Sequence, residues 1–120
     1  KMISNILFVG FGGALGAISR FGISEIMERY IINSSSYSVL LVNLVGCFLI
    51  GLIIGTSMPE KNTTYYFFII GFLGSFTTMS ALTYQTIMIA NTNLIHAVSY
   101  IIFTVVITIA ATYIGTIIAK

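Results

Sequence analysis

Charged side chains are scarce in this sequence, and their scarcity decides the class of protein. Only 7% of the 120 residues are charged, whereas 58% are hydrophobic. A soluble domain of this size has too small a core to bury that much apolar surface. The composition therefore predicts an integral membrane protein. A bilayer-spanning helix needs about 20 apolar residues, so we expect four spans and no separate soluble domain.

Residues that bind metals or carry out catalysis are also scarce. The one cysteine, Cys47, lies in the middle of a predicted span, so no disulfide can form within the chain. The one histidine, His96, lies near the start of another span and has no partner at metal-ligand spacing. No nucleophile, base and orienting group occur together, so we do not expect an enzyme.

Short polar turns divide the sequence into its predicted spans. The hairpin Asn33–Ser36 follows the first span, Pro59 marks the second turn and Asn91–Asn93 marks the third. Residues 1–120 are expected to form one membrane domain, with spans at about 6–27, 37–57, 64–90 and 94–118. Both termini are predicted to be cytoplasmic, because one side of such a bundle carries Lys1, Lys61 and Lys120 and the other carries Arg29.

Small residues recur at a spacing of four within three spans. The pairs are Gly12 and Gly16, Gly51 and Gly55, and Ala111 and Gly115. Such pairs let helix backbones approach closely in lipid. We expect them to serve mainly helix packing in a compact bundle, and we expect a bundle this small to dimerise around any pathway.

The segment Gly71–Thr78 is unusual for a membrane helix. It contains two glycines, a serine and two threonines, inside a stretch that has no charge from Asn62 to Ala119. Glycine loosens helical backbone, and hydroxyl side chains compete for its hydrogen bonds. Lipid cannot satisfy the backbone groups that a break would free. The segment therefore predicts a third helix that is broken at membrane depth and is buried in protein or faces an ion or water.

Two polar side chains in the spans are costly in lipid and need a reason. Arg20 either reaches the membrane interface and pairs with Glu25, or lines an aqueous vestibule that attracts anions. Asn43 either forms an interhelical hydrogen bond or offers its amide to a permeating anion.

The fourth span carries hydroxyl groups at regular intervals. The members, each four residues after the last, are Tyr100, Thr104, Thr108 and Thr112. They form either a polar track on one face or a set of hydroxyls that bond their own helix. With Ser80 and Thr83 the spans offer hydrogen-bond donors, while Glu25 is the only acid near a span. Donors without carboxylates suit a small anion or a small polar solute.

Three blocks of the sequence resemble, in order, those of the Fluc (CrcB) family of bacterial fluoride channels. Gly13–Phe21 is similar to the family's G-x-x-G-A-x-x-R-[YF] block, and Val42–Gly51 to its V-N-x-x-G-[SC]-F-x-x-G block. Gly71–Ser80 resembles its G-F-x-G-G-x-T-T-F-S block. Together with the length and the four spans, the resemblance covers essentially the whole chain.

This resemblance implies a multi-pass channel in the bacterial cell membrane that lowers cytoplasmic fluoride by passive efflux. It implies an antiparallel dimer with two pores and a structural sodium ion at its centre. Backbone carbonyls of Gly74 and Thr77 would hold the sodium ion. The resemblance assigns Arg20 to a vestibule. It places Asn43, Met79, Leu82, Tyr100, Thr104 and Thr108 on the fluoride pathway, and the donors Ser80 and Thr83 complete the pathway that we expect.

The chain departs from the family pattern at two pore positions. The family's T-T-F-S-T-F segment has two phenylalanines, whose ring edges carry the partial positive charge that fluoride passes. Met79 and Leu82 stand at those positions here, and Ala81 replaces a threonine. Because pores in this family take residues from both subunits, we expect this chain to be one half of a heterodimer. The alternative is a homodimer that tolerates both replacements.

Two other functions compete with a channel. A small four-span multidrug exporter would need a deep acidic residue in the first span, and residues 6–24 contain no acid. A non-conducting structural membrane subunit would need no phenylalanine pair, so the replacements leave that function open.

Overall fold

The computed structural model describes residues 1–31, 35–56 and 60–120, and these residues form a bundle of helices. The elements in chain order are α1 (Met2–Tyr30), α2 (Ser35–Thr56), a π-helix (Tyr65–Leu73), α3 (Gly74–Phe76), α4 (Met79–Ala90) and α5 (Leu94–Ala119). The π-helix, α3 and α4 together make the third span. Within these described ranges, four helical stretches are long and apolar enough to cross a membrane. The expected all-α membrane fold with four spans is therefore confirmed.

The helix ends differ from the expected span limits most clearly in α1. Its 29 residues correspond to about 44 Å at about 1.5 Å per residue, against a hydrocarbon thickness of about 30 Å. The ends of α1 therefore reach the headgroup layers, which accommodates the polar end that carries Glu28 and Arg29. Asn33 of the expected hairpin and Pro59 of the expected turn lie outside the described residues.

Two seams hold the bundle together, and glycines line both. In the α1–π seam, a side chain added at Gly12 or Gly16 would collide with backbone oxygens of Phe67 or Phe72. In the α2–α5 seam, an added Cβ at Gly115 would lie 2.6 Å from the Phe48 carbonyl oxygen. The same seam includes Gly51 and Gly55, which meet the backbone of Thr112 and Thr116, and the buried Ala111. The predicted packing role of the small-residue pairs is confirmed.

The third span is broken as expected, but the glycines do not make the break. Gly74 has helical angles (φ −61°, ψ −29°), and the backbone opens at Thr77 (φ −82°, ψ 154°) and Thr78 (φ −151°, ψ 120°). Thr78 then begins α4, where its hydroxyl accepts the amide of Ala81 at 3.2 Å. Gly71 is buried against Val9 and Gly12 of α1. Of the two expected causes, a hydroxyl side chain marks the break, whereas Gly71 serves packing and Gly74 keeps helical angles.

The π-helix before the break has no counterpart in the sequence-based expectations. A π-helix bonds i to i+5, and the amide of Gly74 donates to the Ile69 carbonyl in that pattern. Aromatic residues fill its first turns, where the rings of Phe67 and Phe68 meet edge to face with centroids 4.9 Å apart. An apolar run with spaced glycines is compatible with an α-helix and with a π-helix. Neither hydropathy nor glycine spacing could therefore predict the π-helix.

Candidate ion pathway and cation site

Asn43 of α2 connects the second span to the break in the third. Its side chain is 7% exposed. Its Oδ1 accepts the amide of Thr78 at 2.8 Å, and its Nδ2 donates to the Thr78 carbonyl at 3.2 Å. One buried side chain thus satisfies the Thr78 amide, which donates to no helical carbonyl, and adds a donor to the Thr78 carbonyl at the N-cap of α4. This is the interhelical bond that the sequence left open, and Nδ2 keeps a second hydrogen that an anion could accept.

Arg20 of α1 also reaches the break. Its Nε donates to the backbone carbonyl of Ser75 at 3.1 Å. Sequence reasoning had offered a pair with Glu25 or an aqueous vestibule, and a bond to backbone of the third span was missed. The guanidinium has four further N–H donors, so its vestibule role stays a prediction. Arg20 and Asn43 together anchor the broken segment from two different helices.

Two amides at the break donate to side chains instead of to the carbonyls of Gly74 and Thr77. In a continuous helix the Gly74 oxygen would accept the amide of Thr78, and the Thr77 oxygen that of Ala81. The amide of Thr78 donates instead to Asn43, and the amide of Ala81 to the Thr78 hydroxyl. Carbonyl oxygens released in this way are hard ligands that suit a hard cation. The backbone at these two positions therefore fits the cation site that the resemblance implied.

The Gly74 position is also open to a neighbour. Gly74 is exposed and Thr77 is half-buried. Both line a shallow cavity of about 220 Å³ together with Gly46, Cys47, Ile50, Ile69 and Leu73. Among the residues of the described ranges, no group of three or more His, Cys, Asp or Glu side chains could hold a metal. Backbone oxygens are thus the cation ligands that this part of the chain offers.

A second groove of about 220 Å³ lies on the other side of the break. It gathers five of the predicted pathway residues, namely Asn43, Met79, Leu82, Thr104 and Thr108. Cys47, Thr77, Thr78 and Val105 complete the wall. Met79 is 68% exposed, whereas Leu82 is 5% exposed and packs with Val39 and Tyr100. The groove therefore joins Asn43, which is predicted to line the pore, the two replaced phenylalanine positions and part of the hydroxyl stripe.

The hydroxyl protons of the stripe point to carbonyls of the protein. Thr104 donates to the Tyr100 carbonyl at 2.8 Å, and Thr108 donates to the Thr104 carbonyl at 2.7 Å. Thr112 lies outside the groove lining and donates to the Cys47 carbonyl across the α2–α5 seam at 2.9 Å. Thr104 and Thr108 therefore follow the second of the two expectations, in which the hydroxyls bond carbonyls of their own helix. Thr108 must rotate its hydroxyl to offer a proton to an anion.

Three further predicted pathway residues lie away from the groove wall. Ser80 and Thr83 are exposed on α4, where the Thr83 hydroxyl donates to the Ser80 carbonyl at 3.0 Å. Tyr100 is buried, and its hydroxyl donates to the Ser36 carbonyl at 2.9 Å. The structure therefore does not bring these three side chains together with Asn43.

Thr78 is the residue of the break whose structural role sequence reasoning missed. It bonds Asn43 through its backbone, caps α4, and places its hydroxyl 3.2 Å from that of Ser80. The available signal was a threonine three residues before the Ala81 amide, at the start of a helical pattern. That signal was read as a general weakening of the helix instead of a cap.

Comparison with known proteins identifies the family of this chain. The family described as "CrcB-like protein, Camphor Resistance (CrcB)" matches residues 7–116. A protein of Campylobacter lari, named "Fluoride-specific ion channel FluC", is 37% identical over 99% of this chain and 100% of its own length. Proteins of the same name from Azobacteroides pseudotrichonymphae and Dehalococcoides mccartyi are 31% and 39% identical, over 99% and 71% of this chain and 98% and 68% of their own lengths.

These names describe ion channels and agree with the expectation that the chain is not an enzyme. The match spans all four helical stretches and all three sequence blocks. The chain is therefore a multi-pass membrane protein that belongs to the CrcB family.

Proposed function

We propose that this chain is a subunit of a fluoride-specific channel, which lets fluoride leave the cytoplasm passively. The observation that carries the proposal is the groove in which Asn43, Thr104 and Thr108 lie beside the broken third span. Small anions hold their water tightly, so a pathway must replace that water with closely spaced donors. The names of the full-length relatives give fluoride as the ion.

The surface that a single chain leaves uncovered supports a dimer. Gly74, Met79, Ser80 and Thr83 are exposed at or just after the break. Irregular backbone at membrane depth is tolerated only where protein covers it or water reaches it. A second subunit placed against this face would cover the break. The antiparallel arrangement is the one that the family resemblance implies, and it would bring two breaks face to face.

A structural sodium ion fits at that meeting point. The carbonyls of Gly74 and Thr77 lose their helical amides to Asn43 and Thr78. Two oxygens from one chain are fewer than a hard cation needs, and the same two from a partner would double the number. When bound, the ion would supply positive charge that holds two sets of carbonyl dipoles together. Asn43 and Arg20 position those carbonyls from α2 and α1.

A heterodimer explains the residues at the two replaced positions. Met79 is largely exposed in the groove region and Leu82 is buried in the core, and neither side chain has a polarised ring edge to offer. A partner that keeps its phenylalanines would supply them to the shared pores. The excess of Lys1, Lys61 and Lys120 over Arg29 supports one fixed orientation, as a heterodimer requires.

Fluoride efflux from liposomes that contain only this chain tests the proposal, with chloride efflux as the selectivity control. We expect little fluoride efflux from the chain alone and rapid, fluoride-selective efflux after co-reconstitution with a phenylalanine-bearing relative. Selective efflux from the chain alone would support the channel and overturn the heterodimer. Failure of both preparations, with folded protein, would identify a structural subunit.

The variant Met79→Phe sharpens this test. Met79 is 68% exposed, so a ring fits there without disturbing the core. Leu82 is 5% exposed, and the larger ring in Leu82→Phe would cost about 1–3 kcal/mol by overpacking. If missing ring edges limit conduction, Met79→Phe raises efflux by the chain alone. Met79→Leu is the matched control, because it changes shape without adding a ring.

A further inference from the structure

A large groove opens at the end of the bundle where α1 and the third span begin. Its volume is about 610 Å³, and it lies far along the chain from the break and the ion groove. Polar and aromatic residues at the helix ends form one part of its wall, namely Lys1, Asn5, Lys61, Tyr65 and Tyr66. Apolar residues form the other part, namely Met2, Ile6, Val9 and Ile70.

The two parts of the wall follow one another along the helix axis. Val9 is eight residues after Lys1, which is about 12 Å along an α-helix. Ile70 lies within the π-helix, and Lys61 lies before the start of the third span at Tyr65. The groove therefore has a charged entrance at the membrane surface and an apolar floor that runs into the hydrocarbon layer. This gradient matches the headgroup and acyl chain of a phospholipid.

Two lysines at the entrance of the groove determine which lipid headgroup it would bind. Lys1 precedes α1 and Lys61 precedes the third span, and both are exposed and line the same groove. Glu60 is adjacent in sequence but lines a neighbouring cavity with Asn62 and Thr64. Two amines at one entrance favour a phosphate that carries a net negative charge. Tyr65 and Tyr66 belong to the aromatic type that is enriched at the headgroup level.

We propose that this groove is a binding site for an anionic phospholipid. Lys1 and Lys61 hold the phosphate, and Ile6, Val9 and Ile70 line the path of an acyl chain. The site does not depend on fluoride conduction. It lies at the end of the bundle that the lysine distribution predicts to be cytoplasmic, where anionic lipids give the membrane surface its negative potential.

Native mass spectrometry of the full chain, released from detergent after incubation with lipid, tests the site. We expect phosphatidylglycerol to be retained over phosphatidylcholine of the same acyl chains. Lys61→Gln should lower phosphatidylglycerol occupancy by about fivefold, the factor expected for one lysine near an anionic surface. Lys120→Gln is the matched control, because Lys120 is exposed but does not line the groove, and it should leave occupancy unchanged.

Two further measurements distinguish a bound lipid from other occupants of the groove. Ile70→Trp should fill the apolar floor, since Ile70 is 44% exposed, and should lower lipid occupancy without changing the charge. Soluble glycerol phosphate should compete weakly. Equal retention of both lipids, equal loss in Lys61→Gln and Lys120→Gln, full competition by glycerol phosphate, or a second protein copy cross-linked in the groove would each overturn the proposal.

Discussion

The α2–α5 seam and the α1–π seam carry the same sequence signal and have different structures. Both place glycines directly against the backbone of the facing helix, at Gly51 and Gly115 in one seam and at Gly12 and Gly16 in the other. In the α2–α5 seam, both partners are continuous α-helices. In the α1–π seam, the partner of α1 is a π-helix that leads into an open backbone at Thr77.

The difference lies in how the polar backbone groups are satisfied. Continuous helices satisfy their own amides and carbonyls, and side chains of α5 add bonds to α2, from Thr112 to the Cys47 carbonyl and from Tyr100 to the Ser36 carbonyl. The open backbone depends on side chains of other helices, with Asn43 bonding Thr78 and Arg20 bonding Ser75. Glycine spacing therefore predicts where helices come close, and long-range polar side chains decide where a backbone opens.

The largest expected effect comes from removing the support of the open backbone. Asn43→Ala removes the acceptor of the Thr78 amide and one of the donors to the Thr78 carbonyl, which as the N-cap carbonyl still accepts the first amide of α4. Each buried unsatisfied group costs roughly 1–3 kcal/mol. We expect a large fall in the free energy of unfolding in detergent and loss of fluoride efflux in the co-reconstituted channel.

Asn93→Ala is the matched control for Asn43→Ala. Asn93 also accepts a backbone amide, that of His96 at 3.1 Å, but it is an exposed helix cap. Its loss should cost only about 1 kcal/mol. If the two asparagine variants lose equal stability, the open backbone does not depend on Asn43 more than an ordinary cap depends on its side chain.

The next effect concerns the seams themselves. Gly16→Ala and Gly51→Ala both place a methyl group on backbone atoms of the facing helix, those of Phe72 and Thr112. Overpacking of this kind costs about 1–3 kcal/mol, and backbone atoms cannot turn away as a flexible side chain can. We expect a lower thermal midpoint for both variants, and no loss for Gly10→Ala, whose added methyl meets nothing within 4 Å.

The two seams differ in what such a substitution does to conduction. Displacing α1 from the π-helix shifts Arg20 relative to Ser75, so Gly16→Ala should reduce fluoride efflux more than its stability loss explains. Gly51→Ala acts on the seam between two continuous helices and should reduce efflux only in proportion to folded protein. Equal specific efflux in the two variants would contradict this distinction.

A smaller effect separates the threonines of the stripe. Thr112→Val loses an interhelical bond and should cost about 0.5–1.5 kcal/mol. Thr108→Val loses mainly a bond to its own helix, to the Thr104 carbonyl, and should cost less. For fluoride efflux we expect the reverse order, because Thr108 lines the ion groove and Thr112 does not. The same order for stability and efflux would remove Thr108 from the pathway.

Structural features that depend on the composition or spacing of many residues could be predicted from this sequence. Four spans follow from runs of about 20 apolar residues, and an error in one residue does not change the result. The seams followed from glycines four apart, because that spacing alone places them on one helix face. The presence of a break followed from the composition of Gly71–Thr78.

Features that depend on one distant contact could not be predicted. The position of the break rests on a bond between Asn43 and Thr78, which are 35 residues apart. The acceptor chosen by each hydroxyl of the stripe depends on whether α2 lies within reach, and Thr112 reaches Cys47 whereas Thr104 and Thr108 do not. The spacing of the stripe predicts a shared face without predicting these bonds.

The smallest expected effect is at a glycine that belongs to neither seam. An added methyl group at Gly22 meets nothing within 4 Å in the single chain. Alanine favours the helical backbone over glycine by roughly 0.5–1 kcal/mol. We expect Gly22→Ala to leave the thermal midpoint unchanged or slightly raised, and to leave efflux unchanged. If it lowers both without unfolding the chain, another subunit must pack on this face of α1, because nothing within the chain opposes the methyl group.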